Sequence, residues 1–183
     1  MGDTTTPTWA PALDRPGLLA EPVAAALRAL TPEDAAQVLV AEVDPGVADT
    51  AVLVEATDVA REECATCVLV AGRRDGEQRV AAATVRGSDR ADVNGLVKRA
   101  LDVRKASFFP REEAVAASAM EFGAITPLGL PAGWRVLVDG AVAALPRAVV
   151  GSGVRRSKLA LPGAVLLRLP GAELAEGLGR PSA

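Results

Sequence analysis

The sequence predicts an α+β fold built on a mixed, largely antiparallel sheet. Three observations predict it. Strand-like and helix-like stretches are interleaved along the chain, and several links between them are short enough for hairpins. The third is local: Asp75-Gly76 joins two apolar runs, Thr66 to Gly72 and Gln78 to Val85, with the dipeptide that a tight hairpin turn favours. A doubly wound parallel sheet would need a long crossover between strands, and these connections argue against it.

The elements follow in order. Residues 1–16 are rich in Thr and Pro and are expected to form a mobile tail. Leu18 to Leu30 is rich in Ala and Leu, with Pro22 near the first turn, and predicts a helix. Thr31-Pro32-Glu33-Asp34 has the form of an N-cap, a first-turn proline and acids, so a helical turn at 32–36 precedes a strand running to Asp44. Asp49-Thr50 opens a helix to about Ala56, and Arg61 to Cys64 forms another turn. After the hairpin, Asp92 or Asp89 caps a helix over Val93 to Leu101; Arg104 to Phe108 is a short strand. Pro110-Arg111-Glu112-Glu113 starts a helix reaching about Met120, with proline and acids where a helix N-terminus favours them. Strands are expected at Trp134 to Asp139, Arg147 to Val150 and Lys158 to Leu161, then a helix from Pro162 to Leu169. Residues 17–176 read as one domain and 177–183 as a frayed end; there is no internal repeat.

Composition excludes several chemistries. Half of the 183 residues are apolar, which suits one globular domain with a single core. There is no histidine, so Ser-His-Asp and Cys-His mechanisms and His-ligated metal sites are excluded. General acid–base work near neutral pH would need a perturbed carboxylate or lysine, a water, or the substrate itself. No cofactor or metal is expected. A net charge of −3 argues against gripping a long duplex, but not against contact with the end of an RNA. With three Phe, two Trp and no Tyr, the usual aromatic platform for stacking bases is not expected. No apolar run is long enough to span a membrane and the first nineteen residues do not read as a signal peptide, so a cytoplasmic protein is expected. Cys64 and Cys67 form a Cys-x-x-Cys that leads into a strand rather than a helix, where positions three apart face opposite ways; buried free thiols are expected, not a redox pair.

The segment Glu121 to Pro131 carries two glycines and two prolines among mostly apolar residues. Surface loops are normally polar, so a rigid apolar one is expected against the core with amides turned into a cavity. Gly123 permits positive φ, and Pro127 fixes φ and removes a donor, so the loop holds its shape without a ligand. An ordinary core-crossing turn is the alternative.

Gly123-Ala124-Ile125-Thr126-Pro127, continued by Leu128-Gly129-Leu130-Pro131, resembles the Gly-x-x-x-Pro loop of the YbaK-like family, the prolyl-tRNA-synthetase-associated editing domains. The later Val150-Gly151-Ser152-Gly153-Val154-Arg155-Arg156-Ser157-Lys158-Leu159 fits the same family, and the likeness runs from about Thr31 to Leu169. The resemblance implies a curved sheet approaching a barrel, surrounded by helices. It implies hydrolysis of the ester between a wrong amino acid and the terminal ribose of a tRNA, whose acceptor end would be the partner. The backbone amides of Gly123, Ala124, Ile125, Thr126 and Pro127's loop would then face developing negative charge. Substrate contacts are expected from Ala65 and Thr66 at a strand start, and from Gly151, Ser152, Gly153 and Lys158.

One departure matters. Family members that edit usually carry a lysine in a Lys-Thr-Leu-Val-like segment; here the matching run is Ala65-Thr66-Cys67-Val68, with alanine in the lysine's place. Replacement charge could come from Lys158 or Lys105, and Arg155, Arg156 and Lys158 could make a local basic patch. Thr126 and Ser152 could hydrogen-bond a substrate or water, or satisfy their own backbone; Asp139 could orient an α-amino group or cap a turn. Glu62-Glu63 and Glu112-Glu113 are adjacent pairs that diverge into solvent. Two functions compete: a freestanding deacylase acting in trans, and a non-catalytic module of the same fold that binds an amino acid or RNA end. Ala65 is the evidence for the second.

Overall fold

The computed structural model describes residues 6–182. Among the described residues eleven strands form three sheets: β1 (Ala10–Pro11), β2 (Leu39–Glu42), β3 (Ala65–Arg74), β4 (Glu77–Arg86), β5 (Asp89–Ala91), β6 (Ala106–Phe108), β7 (Arg135–Asp139), β8 (Ala148–Gly151), β9 (Ser157–Leu161), β10 (Ala172–Ala175) and β11 (Gly179–Pro181). One sheet has the order β1-β2-β9-β8 and is antiparallel throughout. A second has the order β10-β7-β4-β3-β6, with β7 parallel to both β4 and β10. The third is the pair β11-β5. The α+β class with mixed sheets is therefore as expected, but the sheets remain open and do not close into a barrel. An isolated parallel bridge between Cys64 and Val149 joins the start of β3 to β8, and the two large sheets diverge from that seam.

The β3–β4 hairpin turns at Asp75-Gly76, both at positive φ, as the Asp-Gly pair predicts. Both faces of β4 are covered, which explains its run of small residues: Ala81 and Ala83 pack with Val70 and Leu101, while Ala82 packs with Leu69 and Phe109. Phe109 meets the edge of Trp134 at 5.5 Å between ring centres. On the other sheet, α1 (Glu21–Ala29) lays Val23 and Leu27 on Leu128, Leu159 and Leu161. The Thr31 cap forms as predicted, accepting from the Asp34 amide at 3.2 Å at the start of α2 (Pro32–Ala36). The helix α3 (Thr50–Ala56) follows Asp49, whose side chain makes no cap bond.

Several expectations need correction. Met1 to Thr5 lie outside the described residues, but the predicted tail ends earlier than Pro16. Ala10–Pro11 pairs with β2 and Ala12 is buried. The C-terminal end does not fray at 177: Leu178 is fully buried and Gly179–Pro181 pairs with β5, with Ala183 outside the described residues. The predicted helix over Val93 to Leu101 begins as a π-turn at Val93–Val97 before α4 (Lys98–Leu101), because the Asp92 carboxylate accepts the Gly95 and Leu96 amides together. The stretch after Pro162 is a 3₁₀ helix, Gly163–Arg168. The helix α5 (Arg111–Ser118) stops at Ala119, which takes the left-handed conformation two residues before the Glu121 loop.

Candidate active site

A cavity of about 440 Å³ opens at the seam between the two large sheets. Its floor is the first half of β3, from Ala65 to Leu69. Strand β6 covers only Val70 to Gly72 of β3, and the Phe109 amide then bonds the Leu69 carbonyl. Between Leu69 and the bridge to β8 at Cys64, this edge of β3 carries no further strand. The alternation of an antiparallel ladder turns the main-chain groups of Cys67 towards that open edge. The lining continues with Ala48, Asp49 and Thr50, where the chain enters α3, and with Phe109, Arg111 and Ala114. Gly123 and Ile125 of the loop and Gly151 and Lys158 of the strands β8 and β9 complete it.

The two sequence segments that carried the resemblance meet here. The Glu121 amide donates to the Gly153 carbonyl at 2.8 Å, and the Gly153 amide donates to the Ala124 carbonyl at 2.9 Å. Gly151 lies so close to the loop that a Cβ on it would sit 2.3 Å from the Ala124 oxygen. The turn is stiffened from within. The Ser152 hydroxyl contacts that of Ser157 at 2.7 Å and donates towards the Ser157 and Val154 carbonyls, both at 3.0 Å. Gly123 has φ +84°. The Ala124 amide bonds the Glu121 carbonyl, whereas the amides of Gly123, Ile125 and Thr126 have no protein acceptor among the described residues.

The candidate residues therefore divide. Gly123, Ile125, Ala65, Thr66, Gly151 and Lys158 line the cavity. Ala124 and Thr126 are buried behind the loop, and the Thr126 hydroxyl has no partner among the described residues. Pro127 lines a separate hollow beside α1. Ser152 and Gly153 hold the loop from behind instead of facing the cavity. Asp139 caps α6 (Gly140–Ala143), accepting from Ala141 at 2.9 Å and from Gly179 at 2.8 Å, and is not in the cavity. The basic run is also split. Arg155 spans the Phe122 and Pro45 carbonyls and Arg156 reaches Gly17, while only Lys158 enters the cavity.

Lys158 is 8% exposed, and its ammonium donates to the Ala48 carbonyl at 2.5 Å. Burial lowers its pKa from the ordinary lysine value, partly opposed by Cys64 and Asp49 and assisted by Arg155. A lysine in β9 thus brings a cation to the cavity whose floor begins at Ala65. Sequence reasoning missed Asp49, Arg111, Phe108 and Phe122 as cavity residues. Asp49 at a helix start looked like a cap, and an uncapped, cavity-facing carboxylate has no signature in the sequence.

The thiols are free. Burial raises the Cys64 pKa and pushes that of Cys67 up to about 12. Cys64 is buried as expected, but Cys67 is only half-buried and lines the cavity. Cys64 should resist alkylation by iodoacetamide at pH 8 in the folded protein and react promptly in urea. Rapid labelling of Cys64 in the folded state would revive a thiol chemistry. Among the described residues no group of His, Cys, Asp or Glu is arranged to hold a metal.

The chain matches the aminoacyl-tRNA editing domain model over residues 44–169. No curated protein sequence matches it. Among solved structures, one of a candidate trans-editing enzyme for prolyl-tRNA synthetase superposes with a TM-score of 0.72 at 18% identity, covering 89% of this chain and 97% of its own. A scaffold protein from epitope backbone grafting by computational design gives 0.71 at 17% identity, with the same coverage. The hypothetical protein APE2540 gives 0.63 at 19% identity, covering 73% of this chain and 85% of its own. At these identities the superpositions establish a shared fold, and the match over residues 44–169 establishes the family: the chain belongs to the aminoacyl-tRNA editing domains.

Proposed function

We propose that the protein is a freestanding deacylase that hydrolyses the ester of mischarged aminoacyl-tRNA in trans. The observation that carries this reading is a buried ammonium, Lys158, lining one cavity with Gly123 and Ile125, whose amides have no protein acceptor among the described residues. An aminoacyl ester is already activated, so positioning and charge stabilisation suffice. The carbonyl oxygen would lie towards the Gly123 and Ile125 amides and Lys158, which stabilise the negative charge that grows as water attacks the carbonyl carbon. The bond from that carbon to the ribose oxygen then breaks. The proton released by the water ends on the ribose oxygen, carried by the neighbouring ribose hydroxyl, which suits a chain with no histidine. Asp49 would accept the α-ammonium group. A cavity of about 440 Å³ is of the size that holds a small ligand. A partner of tRNA would work in the cytoplasm, and among the described residues no helix is long and apolar enough to cross a membrane.

Ala65 favours a second reading, a module that binds the same ligand without turnover. A panel of aminoacyl-tRNAs separates the two. The deacylase reading expects hydrolysis well above background for at least one small aminoacyl group. Background rates across the panel, with retained binding, would establish the binder.

A further inference from the structure

All three phenylalanines of the chain line the one cavity. Phe109 is buried, but Phe108 is 67% and Phe122 48% exposed, so both stand at the rim. Leaving a large apolar side chain in water forgoes most of the stabilisation its burial would give. Two such exposures at one rim, in a chain with so few aromatics, call for a ligand. The Arg111 guanidinium lies 4.1 Å from the centre of the Phe122 ring and forms no ion pair among the described residues. Phe122 also separates the cavity from a shallower outer hollow, which Arg111 and Arg155 share. Arg155 spends its guanidinium on main-chain carbonyls and pairs with no carboxylate among the described residues. The nearby acids are Asp49 inside the cavity and Glu112 and Glu121 on the outer side, and Glu121 accepts the Arg155 amide.

Resting on the deacylase reading, we propose that Phe108 and Phe122, with Arg111 and Arg155, form a stacking seat for the unpaired 3′-terminal nucleotides of the RNA. Aromatic faces take any base, and guanidinium groups take the intervening phosphates, so the seat grips an RNA end without reading its sequence. The cavity behind the rim admits the esterified ribose, whereas a duplex is too wide to enter. This arrangement also reconciles RNA binding with a net charge of −3, since only a few contacts at one end are needed.

The test is binding of a short single-stranded RNA carrying a non-hydrolysable 3′-aminoacylamide, measured by fluorescence anisotropy. Phe122→Ala and Phe108→Ala should each weaken binding roughly 5- to 150-fold. Phe122→Trp should bind at least as well as the wild type, and the same RNA annealed into a blunt duplex should bind poorly. Both side chains are exposed, so thermal unfolding should be nearly unchanged and fold loss is separately visible. Unchanged RNA affinity in both alanine variants, or equal affinity for the duplex, would overturn the seat. If the wild type binds RNA through these rings but hydrolyses nothing, the deacylase reading fails and the seat stands. If hydrolysis proceeds and the ring variants bind normally, the seat alone fails.

Discussion

Replacing Lys158 with methionine should lower kcat/KM for aminoacyl-tRNA by about 100- to 1000-fold, the loss typical of removing one preorganised donor from a developing oxyanion. The comparison is clean because methionine has nearly the same length and Lys158 stands in a buried strand position opposite Gly151. The substitution removes the charge and one hydrogen bond, to a carbonyl at the cavity wall where water can replace it. The fold should therefore survive. Burial of the ammonium costs stability, as the lowered pKa of Lys158 records. With the folded-state pKa below the ordinary 10.5, the unfolded chain binds the proton more strongly between those two values. The cost is complete below the folded pKa, is relieved as pH rises, and is gone above 10.5. Urea unfolding of wild type and Lys158→Met across that window should show wild type gaining stability relative to the variant. A variant that loses activity and stability together at pH 7 would mark Lys158 as a structural residue.

Gly151→Ala should damage the loop from behind. The added Cβ would fall 2.3 Å from the Ala124 oxygen and 3.1 Å from that of Ile125, both main-chain atoms that cannot swing away. Overpacking of this kind costs about 1–3 kcal/mol. In a chain of this size that corresponds to a fall in Tm of roughly 2–12 °C. Because the displaced carbonyls belong to the segment that carries the Ile125 amide, deacylation should fall by more than the lost stability explains. Gly17→Ala is the control: nothing lies within 4 Å of its Cβ position, so stability should shift by less than about 0.5 kcal/mol. Equal behaviour of the two variants would mean that the loop tolerates movement.

Much of the fold was legible because its signals are local. The Asp75-Gly76 turn, the Thr31 cap and the Asp92 cap each depend on residues within four positions of one another, and all three form. The last strands were not legible. In β10 two of four residues are exposed, and β11 ends on a proline, so neither shows the apolar alternation that marks a strand. Their pairing depends on β7 and β5, which lie far away in sequence.

The site divides in the same way. The Gly123 loop announced itself by its rigidity, and the Gly151 to Lys158 run by its glycines and cations. Which member of each run faces the cavity could not be read off. Ser152 has the right chemistry for a ligand, yet it bonds its own turn, the common fate of a hydroxyl in a tight loop. Lys158 and Arg156 look alike in sequence, but strand β9 and the seam send one into the cavity and the other to Gly17. Aromatic scarcity argued against a stacking surface because a composition averages over positions, and the three phenylalanines converge only in the folded chain.

The central claim is that the ester carbonyl is met by main-chain amides and one buried ammonium. A crystal structure with a 3′-aminoacylamino-adenosine, whose amide cannot be hydrolysed, tests it directly. The carbonyl oxygen is expected within hydrogen-bonding distance of the Ile125 or Gly123 amide and of the Lys158 ammonium, with the α-amino group at Asp49. An analogue seated elsewhere, or one in the cavity whose carbonyl points away from the loop and Lys158 to bulk solvent, would contradict it.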